Sequence, residues 1–244
     1  MTSVRTILVT HVTQYAGPGV VQVLREQGAR VLCHDVSFVD AAAREAFEAA
    51  HPGASCLQAQ EPQALVAELA RRGLAVDAVV SNDVYPITRQ PVGEIDPQNL
   101  RDTFEAVFMF PVELAQGLLP GMKARGAGSY VFITSARPLR PEAGYAVPTS
   151  IRAGTTTFAL AMAREVAGHG IQGNVVAPNY LYSEMYYPRA RYVDDPEGRA
   201  QIAATVPMGR LGTPQEIGEL VAFYASGRAG FVTGQVVCFT GGWP

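Results

Sequence analysis

Cysteine is scarce in this chain, three residues in 244, and Cys33, Cys56 and Cys238 lie far apart with no CxxC spacing. That excludes a disulfide framework and a cysteine zinc site, and it points to the cytoplasm as compartment. An excess of charge is missing too. The 19 Lys and Arg against 22 Asp and Glu leave a net charge of -3, which argues against nucleic acid or an anionic membrane surface and leaves a small molecule as partner. No apolar run approaches the roughly 18 residues of a membrane span. The opening Met-Thr-Ser-Val-Arg-Thr-Ile-Leu has no basic, apolar, small-residue signal pattern.

What is present is a regular alternation of strand-length apolar runs and amphipathic helix-length stretches, the pattern of βαβ units. Strands are expected at Thr6–Val9, Arg30–His34, Ala78–Ser81, Ser129–Thr134, Gln172–Ala177 and Val236–Phe239. Helices are expected at Pro18–Gln27, Ala41–Ala49, Pro62–Arg72, Asn99–Ala124, Arg152–Gly168 and Pro214–Ala225. The expected fold is α/β, one Rossmann-like domain over residues 1–244 with a doubly wound parallel sheet. One irregular segment, Pro178 to about Arg199, is rich in Tyr and Pro, and a loop of that length points to function.

A dinucleotide-binding fold puts glycines after its first strand, so that the backbone can approach a pyrophosphate at a helix N-terminus. Here that turn reads Thr10-His11-Val12-Thr13-Gln14-Tyr15-Ala16-Gly17. His11 and Tyr15 carry side chains where close approach requires none, so the loop reads as closed to NAD, with no cofactor and no metal. The other reading is a divergent loop that binds through Gly17 and Gly19. Asp35, at the end of the second strand, fits either a ribose contact or a turn cap.

Downstream, the strand Tyr130-Val-Phe-Ile-Thr-Ser135 is followed by Gly144-Tyr145-Ala-Val-Pro148-Thr-Ser-Ile-Arg152. This frame resembles the active site of the short-chain dehydrogenases, in which a Ser ends a strand and a Tyr stands four residues before a Lys. Arg152 in the Lys position is similar to the halohydrin dehalogenases, a branch that interconverts vicinal haloalcohols and epoxides without nicotinamide. Two further segments carry the resemblance: Val79-Val80-Ser81-Asn82-Asp83, and Pro178-Asn179-Tyr180-Leu181 with Tyr186, Tyr187 and Pro188.

The resemblance implies that Ser135 holds a substrate hydroxyl, that a Tyr takes its proton, and that Arg152 lowers the pKa of that Tyr while Asp83 orients Arg152. It also implies a halide against the backbone of Pro178, Asn179, Tyr180 and Leu181, walled by Tyr15, Tyr186 and Tyr187. Partners would be a haloalcohol or epoxide, a halide or other small anion, and copies of the chain in a homotetramer built through Asn99–Ala124 and Arg152–Gly168. Trp243 either reaches a neighbouring subunit's pocket or packs at its own terminus. His34, His51 and His169 fall at surface or turn positions, without a role.

The frame lacks its base, because Pro148 occupies the Tyr position and a proline cannot transfer a proton. Three readings follow. Tyr145, three residues earlier, folds back between Ser135 and Arg152; or Thr149 or Ser150 joins Ser135, with Arg152 as electrophile or anion clamp; or the chain is a non-catalytic relative that binds a small anion or metabolite. An NAD(P)-dependent oxidoreductase is the competitor from another class. It conflicts with the glycine loop, the Lys position and the Tyr position together.

Overall fold

Short runs rich in β-branched and aromatic residues lie side by side in the computed structural model, which describes residues 4–244. The strands are β1 (Thr6–Val9), β2 (Arg30–Cys33), β3 (Ala54–Cys56), β4 (Ala78–Ser81), β5 (Gly128–Ile133), β6 (Ile171–Pro178) and β7 (Val236–Phe239). All pairings are parallel, in the order β3-β2-β1-β4-β5-β6-β7. Winding therefore reverses between β1 and β4, and in such sheets the crevice beyond the strand ends at that point is where a ligand binds.

Alternate strand residues feed two layers. Val9, Val31, Val80, Val131 and Val176 pack beneath helices α1 (Gly17–Glu26) and α9 (Pro214–Ala225). Leu8, Leu32, Val79, Phe132 and Val175 pack against α3 (Pro62–Arg71), α5 (Phe110–Arg125) and α6 (Ala146–Val166). Burial on both faces explains why these strands read as continuous apolar runs. The remaining helices are α2 (Ala41–Ala50), α4 (Pro97–Phe104), α7 (Arg189–Tyr192) and α8 (Pro196–Thr205).

The doubly wound α/β fold is as expected, but α6 begins at Ala146, six residues before the expected Arg152, and three further details differ. β3 is absent from the expected strands, because three residues bounded by a turn carry too little periodicity to stand out. The expected helix Asn99–Ala124 is α4 and α5 joined by a π-helical turn over Glu105–Met109. The segment after Pro178 holds α7 and the start of α8. Among the described residues no helix is long and apolar enough to cross a membrane.

Gly19 serves packing. A Cβ there would stand 1.9 Å from the Pro214 carbonyl oxygen, so the missing side chain lets α1 lie directly on the first turn of α9. Trp243 is 3% exposed and meets Tyr180 edge to face at 5.6 Å, which places it in its own chain's core rather than extended towards a neighbour.

Candidate active site

The crevice at the β1/β4 reversal is filled by protein. His11 and Tyr15 keep the left-handed backbone that glycine usually supplies, with φ of 47° and 53°, although such a conformation costs a residue with a side chain about 1–2 kcal/mol. The buried His11 ring donates from Nδ1 to Asp83 Oδ1 at 3.2 Å and meets His34 at 5.1 Å, while His34 stacks on Phe110 at 5.3 Å. Thr10 Oγ1 donates to Asp83 Oδ1 at 2.7 Å, and Ser81 donates to the other carboxylate oxygen. Burial alone raises the Asp83 pKa, but His11, Ser81 and Thr10 outweigh it and hold the carboxyl below its ordinary range.

These contacts correct two expectations. His34 is no surface residue but is 1% exposed, because the His11 and Phe110 rings enclose it. The Asp83 carboxylate is committed to Thr10, His11 and Ser81. Arg152 is oriented by the main chain instead, its Nη2 donating to the Asp83 carbonyl at 2.8 Å and its Nη1 to the Ile133 carbonyl at 3.1 Å.

Asp35 is likewise committed, accepting from the backbone N–H and hydroxyl of both Thr13 and Ser37. A dinucleotide does not fit these residues: its phosphate turn is occupied by side chains, Gly19 is consumed by helix packing, and the acid that could hold a ribose has its oxygens engaged.

The open space lies towards β5 and β6. A cavity of about 220 Å³ is lined by Ser135, Pro148, Arg152, Asn179, Tyr15 and Tyr186, among others. Ser135 stands two residues beyond the end of β5, in the loop before α6, and its Oγ accepts from the Arg137 N–H at 3.1 Å. Pro148 is the third residue of α6, within the first turn, where a missing N–H breaks no helical bond. Arg152 follows one turn later at 8% exposure.

Tyr145 caps α6 and lines the same cavity, but the Arg137 guanidinium lies 4.5 Å over its ring and that of Arg89 lies at 6.0 Å. Among the described residues no hydrogen bond joins Tyr145 to Ser135 or Arg152; these two are bonded to Arg137 and to the carbonyls of Ile133 and Asp83. Ser150 turns back to the Val147 carbonyl at 3.1 Å, and Thr149 Oγ1 is buried without a partner.

The aromatic wall comes from the loop after β6. Tyr15 and Tyr186 meet edge to face at 5.1 Å, and Tyr187 packs on Tyr180 at 5.5 Å. Burial raises the phenol pKa values of Tyr15, Tyr180, Tyr186 and Tyr187. For Tyr186 the next effect is that of the Arg152 charge, which acts in the opposite direction.

In the Pro178–Leu181 turn the expected row of free N–H groups is partly spent. Asn179 N–H donates to the Phe239 carbonyl and Tyr180 N–H to Asn179 Oδ1, both at 3.1 Å, and Pro178 has none. Asn179 Oδ1 also receives the Tyr187 hydroxyl at 3.2 Å, which leaves Asn179 Nδ2 buried and unpartnered beside the cavity. Sequence reasoning does not single out Arg137 or Tyr85. Each stands two residues after an assigned residue, Ser135 or Asp83, and that is the only signal for them.

A sequence-family model described as enoyl-(acyl carrier protein) reductase matches residues 16–244. The 3-oxoacyl-[acyl-carrier-protein] reductase FabG of Escherichia coli (strain K12) is 31% identical over 96% of this chain and 95% of its own length. FabG of Vibrio cholerae is 30% identical over the same shares. Among solved structures, one described as a dehalogenation enzyme is 40% identical, with a TM-score of 0.94 over 99% of both chains. The halohydrin dehalogenase HheC, solved with ethyl (2S)-oxiran-2-ylacetate, is 36% identical, with a TM-score of 0.94 over 98% of this chain and 97% of its own.

Proposed function

The chain belongs to the short-chain dehydrogenase/reductase superfamily, and within it we propose a halohydrin dehalogenase-type lyase that interconverts epoxides and vicinal haloalcohols without a nicotinamide. The observation that carries this reading is the pairing of a filled switch point with an open cavity. Where a dinucleotide would lie, His11, His34 and Asp83 pack against one another, while Ser135 and Arg152 face a space of small-molecule size walled by tyrosines.

In this reading Ser135 donates to the substrate oxygen, and the buried Arg152 charge stabilises the negative charge that forms there during ring opening or closure. A halide is weakly hydrated and polarisable, so it suits the edges of Tyr15, Tyr186 and Tyr187, with the unpartnered Asn179 Nδ2 as a donor. Assembly as a homotetramer belongs to the same proposal. Leu100 and Phe104 on α4 are both 41% exposed and suit a subunit contact. A second reading, an anion-binding relative without turnover, is favoured by Pro148.

The test is halide release from a simple bromoalcohol, and bromide-driven opening of a terminal epoxide, with no nicotinamide present. Ring closure and opening under those conditions support the lyase. NADPH-dependent reduction of a 3-oxoacyl thioester with no halide release would overturn it. Bromide raising the melting temperature more than acetate, without turnover, would favour the second reading, because an ion that binds only the folded state stabilises it.

A further inference from the structure

The cavity contains a Ser and an Arg but no phenol in the frame position, and the residue that supplies one comes from a different part of the chain. Tyr186 enters from the loop after β6 and donates its hydroxyl to the Tyr85 carbonyl at 3.1 Å. Arg152 Nη2 donates to the Asp83 carbonyl at 2.8 Å, and Asp83 and Tyr85 are two residues apart on one short segment. Two residues of chain span at most about 7 Å, so the phenol and the guanidinium are anchored on the same short stretch of backbone, and both line the cavity. Tyr145 lines the same cavity under the Arg137 guanidinium, and among the described residues no hydrogen bond joins it to Ser135 or Arg152.

Resting on the lyase reading, we infer that Tyr186 is the proton-transferring residue of this site, with Arg152 as its partner and Ser135 holding the substrate oxygen. In the opening direction an anion attacks one epoxide carbon, the C–O bond at that carbon breaks, and the Tyr186 hydroxyl turns from the Tyr85 carbonyl to give its one proton to the freed oxygen. The phenolate, next to Arg152, then recovers a proton from water and leaves hydroxide. Epoxide, halide and water become haloalcohol and hydroxide, with no oxidant or reductant. In the closing direction the phenolate removes the hydroxyl proton while the C–O bond forms and the halide leaves.

Burial keeps the phenol protonated at neutral pH against the pull of Arg152 and Arg137. A neutral phenol is an acid in waiting, so opening is favoured over closure near pH 7, and closure gains as pH rises. The charged and titratable groups facing Tyr186 are Arg152 from α6, Arg137 from the loop before α6, and Tyr15 from the loop after β1.

Two measurements test the assignment. In bromide-driven opening of a terminal epoxide, Tyr186→Phe is expected to lower kcat by about 10²–10⁴-fold, the usual contribution of a positioned acid or base, with bromide protection against melting retained. Tyr145→Phe should change kcat by less than about threefold. Full activity in Tyr186→Phe, or loss in Tyr145→Phe instead, overturns the assignment and leaves the lyase reading standing.

Carbon-13 labelling of the tyrosine Cζ positions reads the pairing without turnover. The Tyr186 resonance, identified by its disappearance in Tyr186→Phe, should shift in Arg152→Gln, or in Arg152→Lys should the first variant not fold, while the Tyr145 resonance stays in place. An unmoved Tyr186 resonance overturns the pairing. A wild type inert on both substrates overturns the lyase reading, and with it the catalytic role of Tyr186, even where the pairing is seen.

Discussion

Acidification should destabilise this protein through a residue that takes no part in the proposed chemistry. His34 is 1% exposed, and neither ring nitrogen has a hydrogen-bond partner. Burial, followed by the neighbouring His11, pushes its pKa down to about 4 from an ordinary value of 6.5. Between those values the unfolded chain binds a proton on His34 and the folded chain does not, so stability rises with pH across that window. The contribution is complete above pH 6.5 and drains away as pH falls through 4.

Stability falls by about 1.4 kcal/mol for each pH unit below 6.5, so His34 alone removes roughly 2 kcal/mol by pH 5 and about 3 kcal/mol by pH 4. The groups facing it are His11, Asp83 and Asp35, with Gln60 and Phe110. The two carboxyls sit below their ordinary range, and their own loss falls mainly below about pH 4. Urea melts from pH 7.5 to 4 on the wild type and on His34→Phe, which keeps the stack on Phe110, separate these contributions. The variant should lose less stability over the window by the amount stated. Parallel slopes for the two proteins would refute the argument, since they would mean that His34 either takes up its proton in the folded state or is solvated there.

Gly19→Ala places a methyl 1.9 Å from the Pro214 carbonyl oxygen and forces α1 off α9; a loss above about 3 kcal/mol, or failure to fold, is expected in thermal melts, and a loss under about 1 kcal/mol would contradict the packing role. NADH and NADPH should show no saturable binding in the micromolar range by calorimetry, because His11 and Tyr15 occupy the phosphate turn, and a clear isotherm would reverse the cofactor argument. Pro148→Tyr returns a phenol to the face of α6 that carries Arg152, one turn away. It should raise the rate of ring closure at least about tenfold and make Tyr186→Phe nearly silent in that background; no gain, with Ser135 and Arg152 correctly placed, would mean that the cavity has lost the shape for this substrate.

Much of this protein is legible along the chain. Six of the seven strands and the doubly wound order follow from apolar runs at strand length, since a parallel sheet covered on both faces must be apolar throughout. The closing of the phosphate turn follows from His11 and Tyr15, because a side chain at a point of close approach excludes a ligand whatever the rest of the fold does. The absence of a base at Pro148 is equally local, a matter of what one residue's atoms can do. Other features required the fold. That Asp83 serves His11 while its carbonyl serves Arg152, that Arg137 occupies the Tyr145 ring, that His34 is buried, and that Tyr186 and Arg152 are anchored on one short segment are relations between residues up to about a hundred positions apart. Sequence spacing reports which residues share a helix face or a strand end. Which side chain wins a given hydrogen-bond partner is settled only when the ends of β1, β4, β5 and β6 are brought to one place, because there the competing groups first meet.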